Sequence, residues 1–396
     1  MPIAVPFDLN RMRDPALRPI GEKLVAGERL SATDAVVLYT SPDLIGVGAM
    51  ADAANRARHG DRVTFAANQH INPTNVCILR KTCVFCGYAR LPKEQGAYRY
   101  TLEQVLAESD RADGTITREF HIVGGLDMEA GLEYYTTMFR ALKARHPQVH
   151  IKALTAVEIA HIARIEKMSR VDVLTALREA GLDTMPGGGA ETFSAAVRDV
   201  IADKKLGGTD YIDVHRTAHQ LGIRSNCTML YGHVETIEDR VQHLTMLRDL
   251  QDETGGFLAF IPLAYHPDDN ELGVTLGRQG TSSTGFDDLR NLAIGRLFLD
   301  NFVHIKTHWI MVTPALSQVA LHFGVNDIEG TVVREKIYHA VGAHTPQGMT
   351  LPQLLELIRG AGKVPAERDS FYQVLREFGP DDTGRDDTAV SLSGVA

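Results

Sequence analysis

Residues 63–86, VTFAANQHINPTNVCILRKTCVFC, join a predicted β-strand (63–69) to a loop that carries three cysteines. Cys77, Cys83 and Cys86 fall within ten residues, and three clustered thiolates favour a soft metal site over a disulfide framework. A structural zinc site takes four protein ligands, and no matching Cys/His pair lies nearby. Three cysteines would leave one iron of a four-iron cluster without a protein ligand, and such an open iron is what chemistry requires.

The fourth cysteine, Cys227, lies in the apolar run NCTMLYG (226–232). A free cysteine in such surroundings is typically a small buried side chain. We therefore expect Cys227 to belong to the core and not to the metal site.

Outward from the cysteine loop, short strand patterns alternate with amphipathic helix patterns. Capping-box patterns at Thr101–Gln104 and Ser169–Asp172 predict helix starts. Strand–helix alternation over about 260 residues predicts an α/β fold, a TIM-like (β/α) barrel, with its active site at the carboxyl ends of the strands. A doubly wound sheet is the rival, but no GxGxxG follows the first strand. The candidate strands lie at 63–69, 120–126, 149–156, before Pro186, and at 223–231, 257–265 and 303–311.

Helix periodicity without strand patterns marks both ends of the chain. We predict a helical N-terminal extension over 1–60 and a barrel domain over 61–330. A helical C-terminal extension over 331–378 and a disordered tail over 379–396 complete the prediction.

Composition narrows the class of protein. The 396 residues are 44% hydrophobic and carry 41 Lys+Arg against 50 Asp+Glu, a formal charge of -9, which excludes a generally basic nucleic-acid binder. Neither a long apolar stretch nor a secretory signal pattern is present in the sequence. We expect a cytoplasmic protein with no nucleic-acid or membrane partner.

Polar and glycine residues follow several predicted strands. Gly124-Gly125 ends HIVGG and is typical either of close ligand approach or of a tight turn. PGGGAE (186–191) places three glycines before Glu191, whose carboxylate would accept from ribose hydroxyls or simply favour a helix start. In GRLFLDNFVHIKTHW (295–309), Arg296, His304 and Lys306 predict either a carboxylate substrate or internal salt bridges.

The motifs TNVC…CVFC, HIVGG, PGGGAE, TMLYGHVET, LRDLQDETGGF, FIPLAYHP and LDNFVHIK appear in this order. Together they resemble the radical S-adenosylmethionine (SAM) enzymes of the futalosine menaquinone and deazaflavin pathways, and within that group the aminofutalosine synthases. The resemblance covers about positions 60 to 375, including PAERDSFY (365–372).

The resemblance implies a radical-SAM-type barrel and a [4Fe-4S] cluster on the three cysteines that reduces SAM to methionine and a 5'-deoxyadenosyl radical. The radical would add to the enolpyruvyl double bond of 3-[(1-carboxyvinyl)oxy]benzoate, a small dicarboxylate, and an electron donor of flavodoxin or ferredoxin type would supply the electron. The implied cofactor-binding residues are Phe85, Gly124, Gly125, Thr155, Gly188 and Glu191. The candidate catalytic residues are Glu191, His233, Arg296, His304 and Lys306.

The cysteine spacing departs from that of the family. The family's usual spacing is Cys-x3-Cys-x2-Cys, whereas here five residues, ILRKT, separate the first two cysteines. Three alternatives stay open: a dehypoxanthine futalosine cyclase, a deazaflavin (FO) synthase subunit of the same group, and a non-enzymatic iron–sulfur or zinc protein.

Overall fold

The computed structural model describes residues 7–111, 117–280 and 283–383. Its helices are α1 (Arg18–Ala26), α2 (Ala32–Thr40), α3 (Leu44–His59), α4 (Leu102–Ser109), α5 (Leu132–Arg145), α6 (Ala156–Glu166), α7 (Arg170–Glu179), α8 (Ala195–Ile201), α9 (Gly208–Gln220), α10 (Ile237–Thr254), α11 (Glu271–Leu276), α12 (Gly285–Phe298), α13 (Trp309–Val312), α14 (Pro314–Ala320) and α15 (Leu351–Gly360). Its strands are β1 (Arg62–Phe65), β2 (Asn68–Ile71), β3 (Glu119–Ile122), β4 (His150–Ala153), β5 (Thr184–Met185), β6 (Arg224–Tyr231), β7 (Phe257–Ala264), β8 (His304–Thr307), β9 (Asp327–Ile328), β10 (Val364–Arg368) and β11 (Val374–Glu377).

The part of the sheet from β1 round to β2 curls until these two strands, which are consecutive in the chain, lie next to each other. Its order is β11-β10-β1-β9-β8-β7-β6-β5-β4-β3-β2, and every neighbouring pair in that order is parallel except β10 with β11. Only Ala66 and Ala67 separate β1 from β2, yet β1 pairs with β9 and β2 pairs with β3. Asn68 and Thr331 exchange hydrogen bonds across this seam. The predicted TIM-like α/β barrel is confirmed.

Local sequence signals set several of the helix starts. Thr101 caps α4 in a complete capping box with Gln104, and the Ser169 hydroxyl accepts the backbone N–H of Asp172 at the start of α7. Each cap satisfies backbone donors that have no partner within the helix. The two predicted helix starts are therefore confirmed.

The three helices α1 to α3 precede the barrel and share its core. Leu38 and Val47 are fully buried in the same apolar cluster as strand residues such as Phe65 and Ile305. Arg29, between α1 and α2, donates to Asp300 at 2.9 Å. The first six residues of the predicted 1–60 extension lie outside the described chain.

The chain after 330 is only partly helical, which corrects the expectation of a helical C-terminal extension over 331–378. It contains α15, but it also contains β10 and β11, and β10 extends the sheet by pairing in parallel with β1 from Arg62↔Val364 onward. The partner strand lies some 300 residues away in the sequence, so local periodicity carries no sign of this pairing. Most of the predicted tail, from 384 onward, lies outside the described residues.

Paired charges fill the interior of the barrel. The guanidinium of Arg368, which is 0% exposed, donates to both carboxylate oxygens of Asp327, with Nη2–Oδ1 at 2.8 Å. Lys152 likewise donates to Glu119 at 2.6 Å, and both side chains are buried. Removing one member of a buried pair leaves an uncompensated charge, and that is far costlier than replacing the whole pair.

We expect Arg368→Met to lower the free energy of unfolding by about 3 kcal/mol or more, because Asp327 would stay buried without its main counter-charge. Urea unfolding followed by circular dichroism measures the change. Arg62→Met is the matched control, since the pair of Arg62 with Glu377 is 46% exposed on each side, and its loss should cost at most about 1 kcal/mol. Equal costs for the two variants would contradict this assignment.

Candidate active site

A cavity of about 310 Å³ opens at the carboxyl ends of the strands. Its wall contains most of the predicted site residues, which reach it from different loops. They are Cys77, Cys83, Phe85, Cys86, Gly124, Gly125, Thr155, Gly188, Glu191 and Lys306. The cavity therefore brings the cysteine loop, the glycine turns and one predicted basic residue to a single place.

The cysteine loop is held by backbone hydrogen bonds on both sides. Cys77 N–H donates to the carbonyl of Arg90 at 2.8 Å, and Ile78 N–H donates to Leu126 at 3.1 Å in the turn after β3. Between Cys77 and Cys83, the Arg80 N–H donates to the Cys77 carbonyl, and the Cys83 N–H donates to the Leu79 carbonyl. The five-residue spacing is thus taken up by two tight turns, and it still brings all three cysteines to the cavity.

The three loop cysteines differ from Cys227 in their surroundings. All four are free thiols, but Cys227 is 0% exposed inside β6, with its Sγ 3.7 Å from the carbonyl of Ala259. Burial raises the pKa of the Cys83 thiol to about 12, and it also raises the pKa of Cys77. Iron binds thiolates, so cluster assembly here must release protons from buried thiols.

The donor set suits a cluster of several irons. In the parts of the chain that the structure describes, no three His, Cys, Asp or Glu side chains converge closely enough to hold a single metal ion. A [4Fe-4S] cluster makes no such demand, because each thiolate binds a different iron. The three free thiols around one cavity fit that group.

The glycines after β3 are required by the cysteine loop itself. A Cβ on Gly125 would lie 2.2 Å from the Val76 carbonyl oxygen, and one on Gly124 would lie 2.9 Å from that of Thr74. Gly125 N–H also donates to the Thr74 carbonyl at 3.0 Å. Close approach of backbone to backbone therefore explains this glycine pair, whatever ligand it also meets.

Glu158 ties two strand ends together, a role that sequence reasoning did not assign. Its carboxylate accepts from the Gly124 N–H at 2.9 Å and from the Thr155 N–H at 2.7 Å. Burial raises the pKa of Glu158 to about 7, although these hydrogen bonds favour the charged form. In the sequence, Thr155 and Glu158 have the spacing of a capping box, and in the structure this capping box starts α6.

Lys205 was missed altogether, and it lies at the centre of the site. Its ammonium pairs with Glu191 and lies 5.3 Å from the ring centroid of Phe85. Burial opposes its charge, but Glu191 and Cys83 together raise the pKa of Lys205 above its usual value. In the sequence it sits in the polar run ADKKLGG (202–208), which resembles any surface loop.

Arg296 and His304 lie at the other end of the barrel from the cavity, and the catalytic role predicted for them stays a prediction. Arg296 is 2% exposed and donates to the carbonyls of Gly324 at 2.8 Å and Val303 at 3.0 Å, next to the amino end of β8. His304 begins β8, and its ring stacks on Tyr372 at 4.2 Å. Arg296 lies on α12 and His304 at the amino end of β8, whereas the cavity lies at the carboxyl end of that strand.

His233 is also outside the cavity wall. Its Nε2 donates to the Leu230 carbonyl at 3.1 Å, and its Nδ1 lies 3.0 Å from Glu235. These contacts close the turn after β6, and the catalytic role predicted for His233 stays a prediction. Lys306 alone of the predicted basic trio lines the cavity, where it pairs with Glu329 at 2.7 Å.

Comparison with known proteins identifies the family to which this chain belongs. Residues 71–247 match the family model of the radical SAM superfamily, and residues 254–379 match that of the CofH/MqnC C-terminal region. The aminodeoxyfutalosine synthase of Thermus thermophilus is 46% identical over 369 residues, covering 93% of this chain and 98% of that protein. The chain belongs to the radical SAM family of aminodeoxyfutalosine synthases.

Two further relatives are similar to this radical SAM protein over most of its length. The aminodeoxyfutalosine synthase of Streptomyces coelicolor is 41% identical, covering 93% of this chain and 97% of that protein. The cyclic dehypoxanthine futalosine synthase of the same organism is 37% identical, covering 91% and 89%. The predicted family resemblance is thus confirmed.

Among solved structures, that of methylornithine synthase matches with a TM-score of 0.70 at 16% identity, covering 88% of this chain and 97% of that one. At this identity the likeness shows the fold alone. As a radical SAM protein the chain uses a [4Fe-4S] cluster and SAM, and Cys77, Cys83 and Cys86 fit the family's motif. No helix among the described residues is long and apolar enough to cross a membrane.

We expect Cys77→Ala, Cys83→Ala and Cys86→Ala each to abolish cluster assembly, since an iron would lose its only protein ligand. Iron and sulfide analysis after anaerobic reconstitution measures the loss. Cys227→Ala is the control and should retain its iron, because that thiol is enclosed by the core. A full cluster in all three loop variants would refute the ligand set.

We expect Lys205→Met to make the reduction potential of the cluster more negative, because a buried positive charge beside the thiolates favours the added electron. Redox titration followed by electron paramagnetic resonance measures the midpoint. Lys204→Met is the matched control, since its side chain is 71% exposed and water screens its charge. A midpoint equal to that of the wild type would show that Lys205 has no electrostatic role.

Proposed function

We propose that this protein adds the 5'-deoxyadenosyl radical to the enolpyruvyl double bond of 3-[(1-carboxyvinyl)oxy]benzoate, with loss of a carboxylate as bicarbonate, to give 6-amino-6-deoxyfutalosine. The two aminodeoxyfutalosine synthases that it resembles over nearly their whole length carry the proposal. The cavity supports it, because one enclosed space joins the cysteine loop to a polar interior.

The cofactor-binding assignments belong to the same proposal. When bound, the cluster supplies the electron that splits SAM. The backbone at Gly124 and Gly125 would receive the methionine ammonium, and the ring of Phe85 would pack by the adenine. Thr155, Gly188 and Glu191 would lie along the ribose, with Lys205 holding the Glu191 carboxylate in place. Their common support is that all of them line the cavity that holds the three thiols.

Enclosure is the contribution of the fold to this chemistry. A carbon radical must be kept from water, and the inner wall of the cavity is made by strand residues, such as Thr228 and Ile261, that are themselves buried. Lys306 remains the candidate that meets a substrate carboxylate. The position of Glu191 in the cavity wall supports its proposed catalytic role, whereas Arg296, His304 and His233 are not among the residues of that wall.

A one-electron donor of flavodoxin or ferredoxin type and a cytoplasmic location complete the proposal. Reduced thiols and a reducible cluster belong to a reducing compartment. The substrate is a small dicarboxylate, and nothing in the cavity calls for a nucleic acid or a membrane as partner.

The decisive experiment is turnover with defined substrates under anaerobic conditions. Reduced, reconstituted protein given SAM and 3-[(1-carboxyvinyl)oxy]benzoate should form 6-amino-6-deoxyfutalosine, identified by mass spectrometry. Parallel incubation with dehypoxanthine futalosine tests the nearest rival. Release of 5'-deoxyadenosine together with a cyclised product in that incubation, and none of the expected nucleoside in the first, would overturn the proposal.

A further inference from the structure

Three neighbouring strands place polar side chains side by side on the inner wall of the cavity. His70 on β2 is the register partner of His121 on β3, which in turn is the register partner of Lys152 on β4. All three residues line the cavity, and the two imidazole rings stack with their centroids 4.6 Å apart. Parallel strands in register thus build one polar row below the cysteine loop.

The facing wall adds a third histidine. His308 follows β8 directly, and its Nε2 lies 3.8 Å from a carboxylate oxygen of Glu329, beyond hydrogen-bond distance. Lys306, two residues earlier, also lines the cavity. The inner end of the cavity is therefore lined by three imidazoles, two ammonium groups and the carboxylates of Glu329 and Glu335. Glu329 is paired with Lys306 and Glu335 with His339.

The two lysines of this inner end are already neutralised. Lys152 pairs with Glu119 at 2.6 Å, and Lys306 pairs with Glu329 at 2.7 Å. Buried charges matched in this way leave little net field for an incoming anion. Recognition of a ligand must therefore come mainly from groups that still have hydrogen bonds to make.

The three histidines are such groups. Within the described residues, no protein atom hydrogen-bonds to the ring of His70, His121 or His308, and the His70 Nε2 and His308 Nδ1 atoms are buried without a partner. Some histidines packed elsewhere also have one buried ring nitrogen without a partner, but their other nitrogen is bonded, as His243 Nε2 is to the Thr228 carbonyl at 2.9 Å. The three cavity histidines differ because neither ring nitrogen has a protein hydrogen-bond partner among the described residues. Buried polar groups left without a partner are costly unless a ligand or water satisfies them.

Burial lowers the pKa of His308 to about 4 and the pKa of His121 well below its usual value. Both rings are therefore neutral near pH 7, and each offers one N–H donor. A carboxylate oxygen is an acceptor only, and it would match these donors without adding another buried cation.

We propose that His70, His121 and His308 form a subsite that binds the benzoate carboxylate of the substrate. The inference rests on the proposed function, and it orients the molecule. The enolpyruvyl carbon that meets the adenosyl radical must lie towards the cysteine loop, so the ring carboxylate at the far end of the molecule points to the histidines. Lys306 lies beside this subsite, where its charge is already paired with Glu329 at 2.7 Å.

Binding of two unreactive probes tests the subsite. The first, 3-(carboxymethoxy)benzoate, carries the ring carboxylate, and the second, phenoxyacetate, lacks it. Affinities are measured by calorimetry on reconstituted, oxidised enzyme, which does not cleave SAM. In His70→Leu and His308→Leu, which remove the donor, the first probe should bind at least about tenfold more weakly, as for loss of one hydrogen bond to a charged group, while phenoxyacetate binding stays unchanged.

His344→Gln, at an exposed position, is the control and should bind both probes as the wild type does. Unaltered cluster absorption and SAM affinity in the histidine variants show that the fold is intact. Equal affinity of wild type and both variants for 3-(carboxymethoxy)benzoate would overturn the subsite while leaving the proposed function standing. Conversely, if the wild type forms no 6-amino-6-deoxyfutalosine but its probe binding still depends on His70 and His308, the proposed function fails and the aromatic carboxylate subsite stands.

Discussion

The contact between two backbones, that of the cysteine loop and that of the turn after β3, is the constraint on which the site depends. Val76 approaches Gly125 so closely that a methyl group there would lie 2.2 Å from its carbonyl oxygen. This contact fixes the loop on the rim of the barrel, and Glu158 in turn fixes the Gly124 N–H from the next strand end. The positions of the cysteines therefore depend on strands β3 and β4, each of which has three buried residues in four.

Three buried ion pairs lie in or beside the barrel interior, and they have consequences for its chemistry. Arg368 with Asp327, Lys152 with Glu119, and Lys205 with Glu191 are each buried ion pairs. Such pairs add little to stability compared with apolar packing, but they hold side chains in one geometry when several hydrogen bonds converge. A barrel lined in this way can accept an anionic substrate at groups that remain unbonded, without first breaking a salt bridge.

Much of the site could be read from residue type and spacing, and some could not. The three loop cysteines, Gly124-Gly125, and Thr155 were found because their chemistry or their place after a strand is unusual. Lys205 and His70 escaped notice, since a lysine in a polar loop and a histidine in a strand are ordinary. Arg296 on α12 and His304 at the start of β8 lie away from the cavity, since a polar residue in an apolar segment does not indicate which end of the barrel it faces.

The amino-acid sequence by itself determined the alternation of strands and helices, the cluster-binding thiols and the family, since all of these are written in local periodicity and in motifs of fixed spacing. Tertiary structure alone decided which charges meet, which histidines stay unbonded, and how residues 364–377 join the sheet beside β1. The reason is physical. Strand register, ion pairing and the direction in which a side chain faces are set by contacts between segments far apart in the chain, and no local pattern encodes them.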